Sequence, residues 1–217
     1  MHILGIVGSG RKGGNTDILV QHMLSAAGEQ GMTTRCIHLS EYSINDCTGC
    51  ECCKASFTCA VKDGMQEIYP LLESADAVIV GSPTYFYNVT GLVKTFLDRL
   101  YCYDLFDESD RSVWLGRHEA AGIKYAATVA VCEQENEENM GYTSLALGKS
   151  LTAVGYRIVG ELKVFHAFAK GDVLQNRPAL DEAATIGKRL AKTLALRRKA
   201  EEALTKARRI NTTRDTP

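Results

Sequence analysis

The opening residues "HILGIVGSGRKGGNT" constrain the fold most, because they join a β-favouring run to a helix through a glycine-rich loop. His2 to Gly8 is a continuous run ending in glycine, and "TDILVQHMLSAAGEQG" (Thr16 to Gly31) then repeats apolar residues at helical spacing and closes on glycine. Strand, glycine loop and helix in that order begin a βαβ unit. The alternation continues. "TTRCIHL" (33–39), "ADAVIVGSP" (75–83), "GIKYAATVAV" (122–131) and "YRIVGELKVFHA" (156–167) read as four more strands. The third is apolar without alternation, as a strand covered on both faces of a parallel sheet should be. Helices are predicted over "GMQEIYPLLES", with Pro70 in its first turn or kinking it, over "TGLVKTFLDRL", and from about Tyr142 to Val154. Strands alternating with helices imply right-handed crossovers and an α/β fold: a doubly wound five-stranded parallel sheet with helices on both faces.

A chain of 217 residues, 45% of them hydrophobic, suits one such domain. Leu180, Ala183, Gly187, Leu190 and Leu194 extend the core pattern, so residues 1–196 are expected to form the domain, with a cysteine-rich loop at 47–59. Residues 197–217 read as a basic helical extension and tail: "RRKAEEALTKARR" carries six basic and two acidic residues, a balance of +4, and is read as solvated. The net charge of −1 gives no field for nucleic acid or a membrane surface. No stretch approaches the roughly 18 apolar residues of a membrane span, and the N-terminal basic residues follow the apolar run instead of preceding it as in a signal peptide. A cytoplasmic protein is expected, and there crowded cysteines serve metals or catalysis more often than disulfides.

Ligands of open α/β sheets bind beyond the carboxyl ends of the strands. The first loop there, Gly8 to Thr16, can turn backbone N–H groups and a helix N-terminus toward an anion, aided by the Ser9 and Thr16 hydroxyls and the Arg11 guanidinium. It lacks the Gly-Lys-Ser/Thr of a nucleotide triphosphate loop, and no acidic residue ends the second strand as dinucleotide binding would ask. The loop after the third strand, "SPTYFYNVTG", offers Tyr85, Phe86 and Tyr87 as a wall beside a planar ligand. A phosphate cradle and an aromatic shelf at neighbouring strand ends match the two ends of FMN.

Five of the eight cysteines fall within "CTGCECCKASFTC", Cys47 to Cys59. Cys47, Cys50 and Cys53 follow the compact spacing by which one loop wraps three corners of an iron-sulfur cubane, and Cys59 is near enough to supply a fourth thiolate. Zinc held by four thiolates and a reduced redox dithiol are the alternatives. Cys52 is the odd member, and Cys36, Cys102 and Cys132 read as small buried hydrophobes. His118 and His166 are isolated, and no Ser-His-Asp set occurs. "DLFDESDRSVWLGRH" (104–118) reads as a lid, an interface arm or a disordered segment, with Phe106 and Trp114 expected to pack.

The glycine loop, the cysteine cluster and "VKDGMQEIYPLLESADAVIVGSPTYFYNVTGLVKTFLDR", in that order, resemble the flavodoxin-like NAD(P)H-dependent FMN reductase superfamily, and within it the iron-sulfur flavoproteins. The resemblance is close over about the first hundred residues. It implies a flavodoxin-like fold, non-covalent FMN, a homodimer or homotetramer, and a 4Fe–4S cluster on Cys47, Cys50, Cys53 and Cys59. By the same resemblance Ser9, Arg11, Asn15 and Thr16 fall on the phosphate loop, and Pro83, Thr84, Tyr85, Phe86 and Asn88 on the flavin-ring loop. The third flavin loop is often glycine-rich in similar proteins, but here it reads "CEQENEENMGY", which departs from the pattern. The function implied is electron relay between a one-electron carrier such as ferredoxin, or NAD(P)H, and the flavin. The alternatives are an NAD(P)H-dependent FMN or quinone reductase without the cluster, and a non-enzymatic binding module.

Overall fold

A computed structural model describes the backbone of residues 1–214 and the side chains of residues 1–207; residues 215–217, the end of the expected 197–217 extension, lie outside the described residues. The chain begins with β1 (His2–Val7) and α1 (Asn15–Gly28), then β2 (Thr33–His38), the cysteine loop and α2 (Met65–Ser74). After β3 (Ala77–Pro83) and α3 (Gly91–Arg99) comes a short antiparallel hairpin of β4 (Asp104–Phe106) and β5 (Trp114–Gly116). The second half runs α4 (Arg117–Ala121), β6 (Lys124–Val131), α5 (Glu137–Met140), α6 (Thr143–Ala153), β7 (Tyr156–Val164) and α7 (Arg177–Arg214).

Five strands form one parallel sheet in the order β2-β1-β3-β6-β7, the doubly wound arrangement expected from the sequence. Successive strand side chains point to opposite faces. In β3, Ala77 and Ile79 therefore join one core, with Leu19, Val20 and Met23 of α1 and Ile186, Leu190 and Leu194 of α7. Val78 and Val80 join the other, with Ile68 and Leu72 of α2, Phe96 of α3, and Leu147 and Leu151 of α6. Each of these side chains larger than alanine, fully buried, contributes about 1.5–3 kcal/mol.

Three details refine the sequence reading. Pro70 stands in the second turn of α2, where it withholds a backbone donor from the helix. The 104–118 segment is an ordered hairpin, with Phe106 and Trp114 rings 6.4 Å apart. α7 continues without a break into the basic extension, but its buried stripe stops at Leu194, and Leu196 and Leu204 are exposed.

Candidate functional site

The loop after β1 is organised by its own backbone. Gly13 takes a left-handed φ of +65°, which glycine adopts without penalty. Its N–H donates to Asp17 Oδ2 at 2.7 Å, the Gly14 N–H donates to the Arg11 carbonyl, and the Arg11 N–H donates to Ser9 Oγ. Among the described residues the N–H groups of Gly10, Asn15 and Thr16 meet no acceptor. These are the orphan donors of a loop and a helix start, and they make an anion-binding end. Asp17 Oδ2 also lies 2.9 Å from His38 Nε2 at the end of β2. Burial pushes the Asp17 carboxyl up, but His38 and the Gly13 N–H together hold it below its ordinary value.

The neighbouring loop is tied to this one through Thr90, the N-cap of α3. Its hydroxyl donates to the Gly8 carbonyl at 2.8 Å and accepts the Val93 N–H, while its own N–H donates to Ser82 Oγ. Gly8 is required here, since a Cβ would stand 1.9 Å from Val93 Cγ2. Beyond β3, Tyr85 and Asn88 exchange backbone hydrogen bonds around a tight turn. Its two central residues, Phe86 and Tyr87, have φ of +46° and +64°. Large aromatics in the left-handed region are strained by roughly 1–2 kcal/mol each. The Tyr142 N–H donates to the Tyr87 carbonyl at 2.7 Å and braces the turn, leaving Phe86 97% exposed.

Between the two loops lies a cavity of about 270 Å³. It brings together Ser9, Arg11, Asn15, Thr16, Pro83, Thr84, Tyr85 and Phe86. Asn88 is not on its wall; that residue closes the turn, its Oδ1 accepting the Val89 N–H. Thr84 Oγ1 is buried without a hydrogen-bond partner. Val131 and Glu133, at the start of the departing third loop, also line the cavity. The opposite wall was not foreseen from the sequence: Ala167, Phe168 and Lys170 from the loop after β7. The signal was present in "VFHAFAKGD", an aromatic and a lysine at the carboxyl end of the fifth strand. Asn15 draws this loop in. Its amide donates to the Ala169 carbonyl at 2.9 Å, and its Oδ1 accepts the N–H groups of Gly171 and Val173. Arg11 donates to the Phe168 carbonyl and lies over the Phe168 ring, 5.3 Å from its centroid.

The cysteine loop leaves β2 at the same edge of the sheet and is held at its neck. Ser43 accepts the Gly64 N–H, and the Asp63 carboxylate accepts the Asn45 and Met65 N–H groups. Arg99 of α3, its side chain fully buried, donates to Asp63 at 2.7 Å and to the Asn45 carbonyl at 2.8 Å. Burial pushes the Asp63 carboxyl up, and the Arg99 guanidinium and these N–H groups outweigh it, leaving it below its ordinary value. Farther along, Lys54 donates to the Tyr101 and Asp104 carbonyls and sits over the Tyr101 ring at 3.4 Å, with burial lowering its pKa. Arg111 of the β4–β5 hairpin grips Glu51, and Arg117 lies over Phe57. Cys47, Cys50 and Cys52 are exposed, Cys59 half-buried and Cys53 buried. No three or more His, Cys, Asp or Glu side chains gather at metal-holding distance among the described residues. Cys102 and Cys132 are buried and Cys36 half-buried, in keeping with packing roles.

Residues 1–136 match the NADPH-dependent FMN reductase family. An iron-sulfur flavoprotein of Archaeoglobus fulgidus is 35% identical over 159 residues, 73% of this chain and 68% of that protein. The chain belongs to this family, among its iron-sulfur flavoproteins. A second relative, an iron-sulfur flavoprotein of Methanocaldococcus jannaschii, is 29% identical over 203 residues, 92% of this chain and 100% of that one. An archaeal flavodoxin structure superposes with a TM-score of 0.55 at 14% identity, over 90% of this chain and 99% of that one. RosB, solved with a bound riboflavin-phosphate intermediate, gives 0.68 at 11% identity, over 97% and 87%. These two likenesses show the flavodoxin-like fold. For an FMN reductase family member the cavity fits its cofactor: free N–H groups and a cation at one loop, an unpartnered buried hydroxyl and an aromatic turn at the other. The cysteine loop fits thiolate-held metal by its donor set. The Cys52 N–H and the Thr48 hydroxyl hold the Cys50 thiol below its ordinary value, whereas burial pushes Cys53 up.

Proposed function

We propose that this flavoprotein oxidoreductase holds FMN in the cavity at the carboxyl edge of the sheet and a 4Fe–4S cluster on Cys47, Cys50, Cys53 and Cys59, with ferredoxin or NAD(P)H as electron donor. The observation that carries the flavin half is a cavity joining unpaired backbone donors to a strained aromatic turn, with the Thr84 hydroxyl buried and unpartnered between them. When bound, FMN supplies one- and two-electron chemistry and a 4Fe–4S cluster supplies single electrons.

The chain's own part is binding and orientation. The Asn15 and Thr16 N–H groups and the Arg11 guanidinium would hold the phosphate, as charge-assisted bonds. Tyr85 and Phe86 would cover the flavin ring end and exclude water from it. The Thr84 hydroxyl would satisfy a polar ring atom. At the cysteine loop, the Arg99–Asp63 neck fixes both ends of the segment that carries the four thiols, and the Lys54 cation favours the thiolate of Cys53. The iron-sulfur flavoproteins matched here support the cluster assignment, as does the cysteine spacing.

A second reading keeps FMN and leaves the four thiols reduced, as an NAD(P)H-driven FMN or quinone reductase. The match to the NADPH-dependent FMN reductase family favours it. Anaerobic purification with an absorption spectrum and assays of iron and acid-labile sulfide separates the two. Flavin bands with a bleachable iron-sulfur shoulder are expected, and in Cys50→Ser the shoulder should vanish while the flavin stays. Yellow protein free of iron would support the reductase, and zinc without sulfide would overturn the metal assignment.

A further inference from the structure

The loop after β7 carries a cation to the anion-binding end of the pocket from 155 residues farther along the chain. Lys170 lines the cavity and crosses above Gly13: a Cβ on Gly13 would stand 3.1 Å from Lys170 Cε and 3.4 Å from its Nζ. Among the described residues Lys170 makes no ion pair, and neither does Arg11, which is bonded to a carbonyl. Lys12, the third cation of the region, is paired with Glu41. Two of the nearby carboxylates are already engaged, while Glu133, on the same cavity wall, pairs with neither cation among the described residues. Asp17 holds the Gly13 N–H and His38, and Asp172 accepts the N–H groups of Phe168 and Ala169. Two uncompensated cations thus flank the free N–H groups at the start of α1. A compact dianion such as a phosphate monoester answers both the charge and the donors.

We propose that Lys170 is a binding residue of this pocket that selects a phosphorylated flavin over its unphosphorylated counterpart, and that Asn15 positions it. The proposal rests on the flavin reading above. The Asn15 side chain acts through the loop and not on the ligand. Its Oδ1 takes both the Gly171 and Val173 N–H groups and its amide meets the Ala169 carbonyl, so the segment on either side of Lys170 is pinned to α1. An amide carries two donors and two acceptor sites, and three of the four are thereby filled. The lysine's reach to the cradle is therefore set by an asparagine that sequence reading places among phosphate ligands.

The test is titration of the flavin-free full chain with FMN and with riboflavin, followed by quenching of flavin fluorescence at two salt concentrations. The wild type should prefer FMN, and more so at low salt. Lys170→Gln should weaken FMN by about tenfold or more, the cost of one charge-assisted bond, leave riboflavin little changed and flatten the salt dependence. Lys170→Arg should restore most of the preference. Asn15→Ala should lower the preference too, and adding Lys170→Gln to it should cost less than in the wild-type background. Equal loss of both flavins in Lys170→Gln, or loss of neither, overturns the selector role. Wild-type protein that takes up neither flavin overturns the flavin reading itself, a different result from riboflavin and FMN binding alike, which removes Lys170 alone.

Discussion

The proposed flavin cavity and the cysteine loop share one edge of the sheet and are built in opposite ways. The cavity rests on strand ends and is complete before any ligand arrives. Thr90 bolts its two loops together, its N–H donors point free, and Phe86 and Tyr87 are kept in left-handed geometry by the bonds around them. The cysteine loop has its order at the neck and in the grips of Lys54, Arg111 and Arg117, while its sulfurs form no metal-holding group among the described residues. A preformed cradle loses little freedom on binding. A loop with fixed ends and free thiols would make its final closure only on the cluster proposed for it, and binding and local folding would then be one event.

The neck gives the largest effect by which this contrast can be broken. Arg99→Met leaves Asp63 as an uncompensated buried carboxylate and should cost about 3–5 kcal/mol in denaturant unfolding. Well below its melting temperature the variant should still bind FMN near the wild-type affinity while its cysteine loop exchanges amide protons faster. Asp63→Asn, which keeps the shape and loses the charge, should show the same order with a smaller change. Equal damage to flavin binding and to the loop would mean that the two regions are one cooperative unit.

The sheet was legible because its central strands β1, β3 and β6 are apolar runs, and buried β3 shows the unbroken run that a doubly covered strand needs. The two loops that meet at the cavity were legible because each follows such a strand directly. What escaped is what short spacing cannot encode. Lys170 lies beside Gly13 on a loop that the Asn15 amide ties to α1, and Arg99 meets Asp63 across 36 residues with no periodic trace. The β4–β5 hairpin has strands of three residues each, too short for alternation to show. Phe86 and Tyr87 violate the preference for glycine or asparagine at left-handed turn positions, so tertiary bonds overrode local propensity there. Asn88 lies on the expected loop, in the turn and off the cavity wall.

His118 sharpens the contrast through pH. It is buried in α4 between the rings of Tyr103 and Tyr156, with Nε2 unpartnered, beneath the hairpin that grips the cysteine loop. Burial, then the charges of Lys124 and Arg117, pull its pKa down to about 4. The unfolded chain binds this proton near the ordinary 6.5, so between about 6.5 and 4 the unfolded state holds more protons than the folded one. Stability should fall as pH drops through that window, by roughly 3 kcal/mol once below it. His118→Phe should remove this part of the slope. Hydrogen exchange at pH 4.5 should open the hairpin and cysteine loop before the flavin cavity; the reverse order would contradict the contrast.

The smallest effect tests the claim that the flavin wall is held under strain. Phe86 is almost wholly exposed, so its ring contributes little packing in the ligand-free protein, while its φ of +46° is costly for any side chain with a Cβ. Phe86→Gly should therefore raise stability, by up to about 1 kcal/mol after the extra chain entropy glycine brings to the unfolded state. The same change should weaken FMN, because the wall beside the ring system is gone. Opposite signs in melting temperature and in flavin affinity are the signature of a residue kept in place for a ligand. A variant that loses stability along with affinity would show that the ring packs after all, and the cavity would then be no more preformed than the cysteine loop.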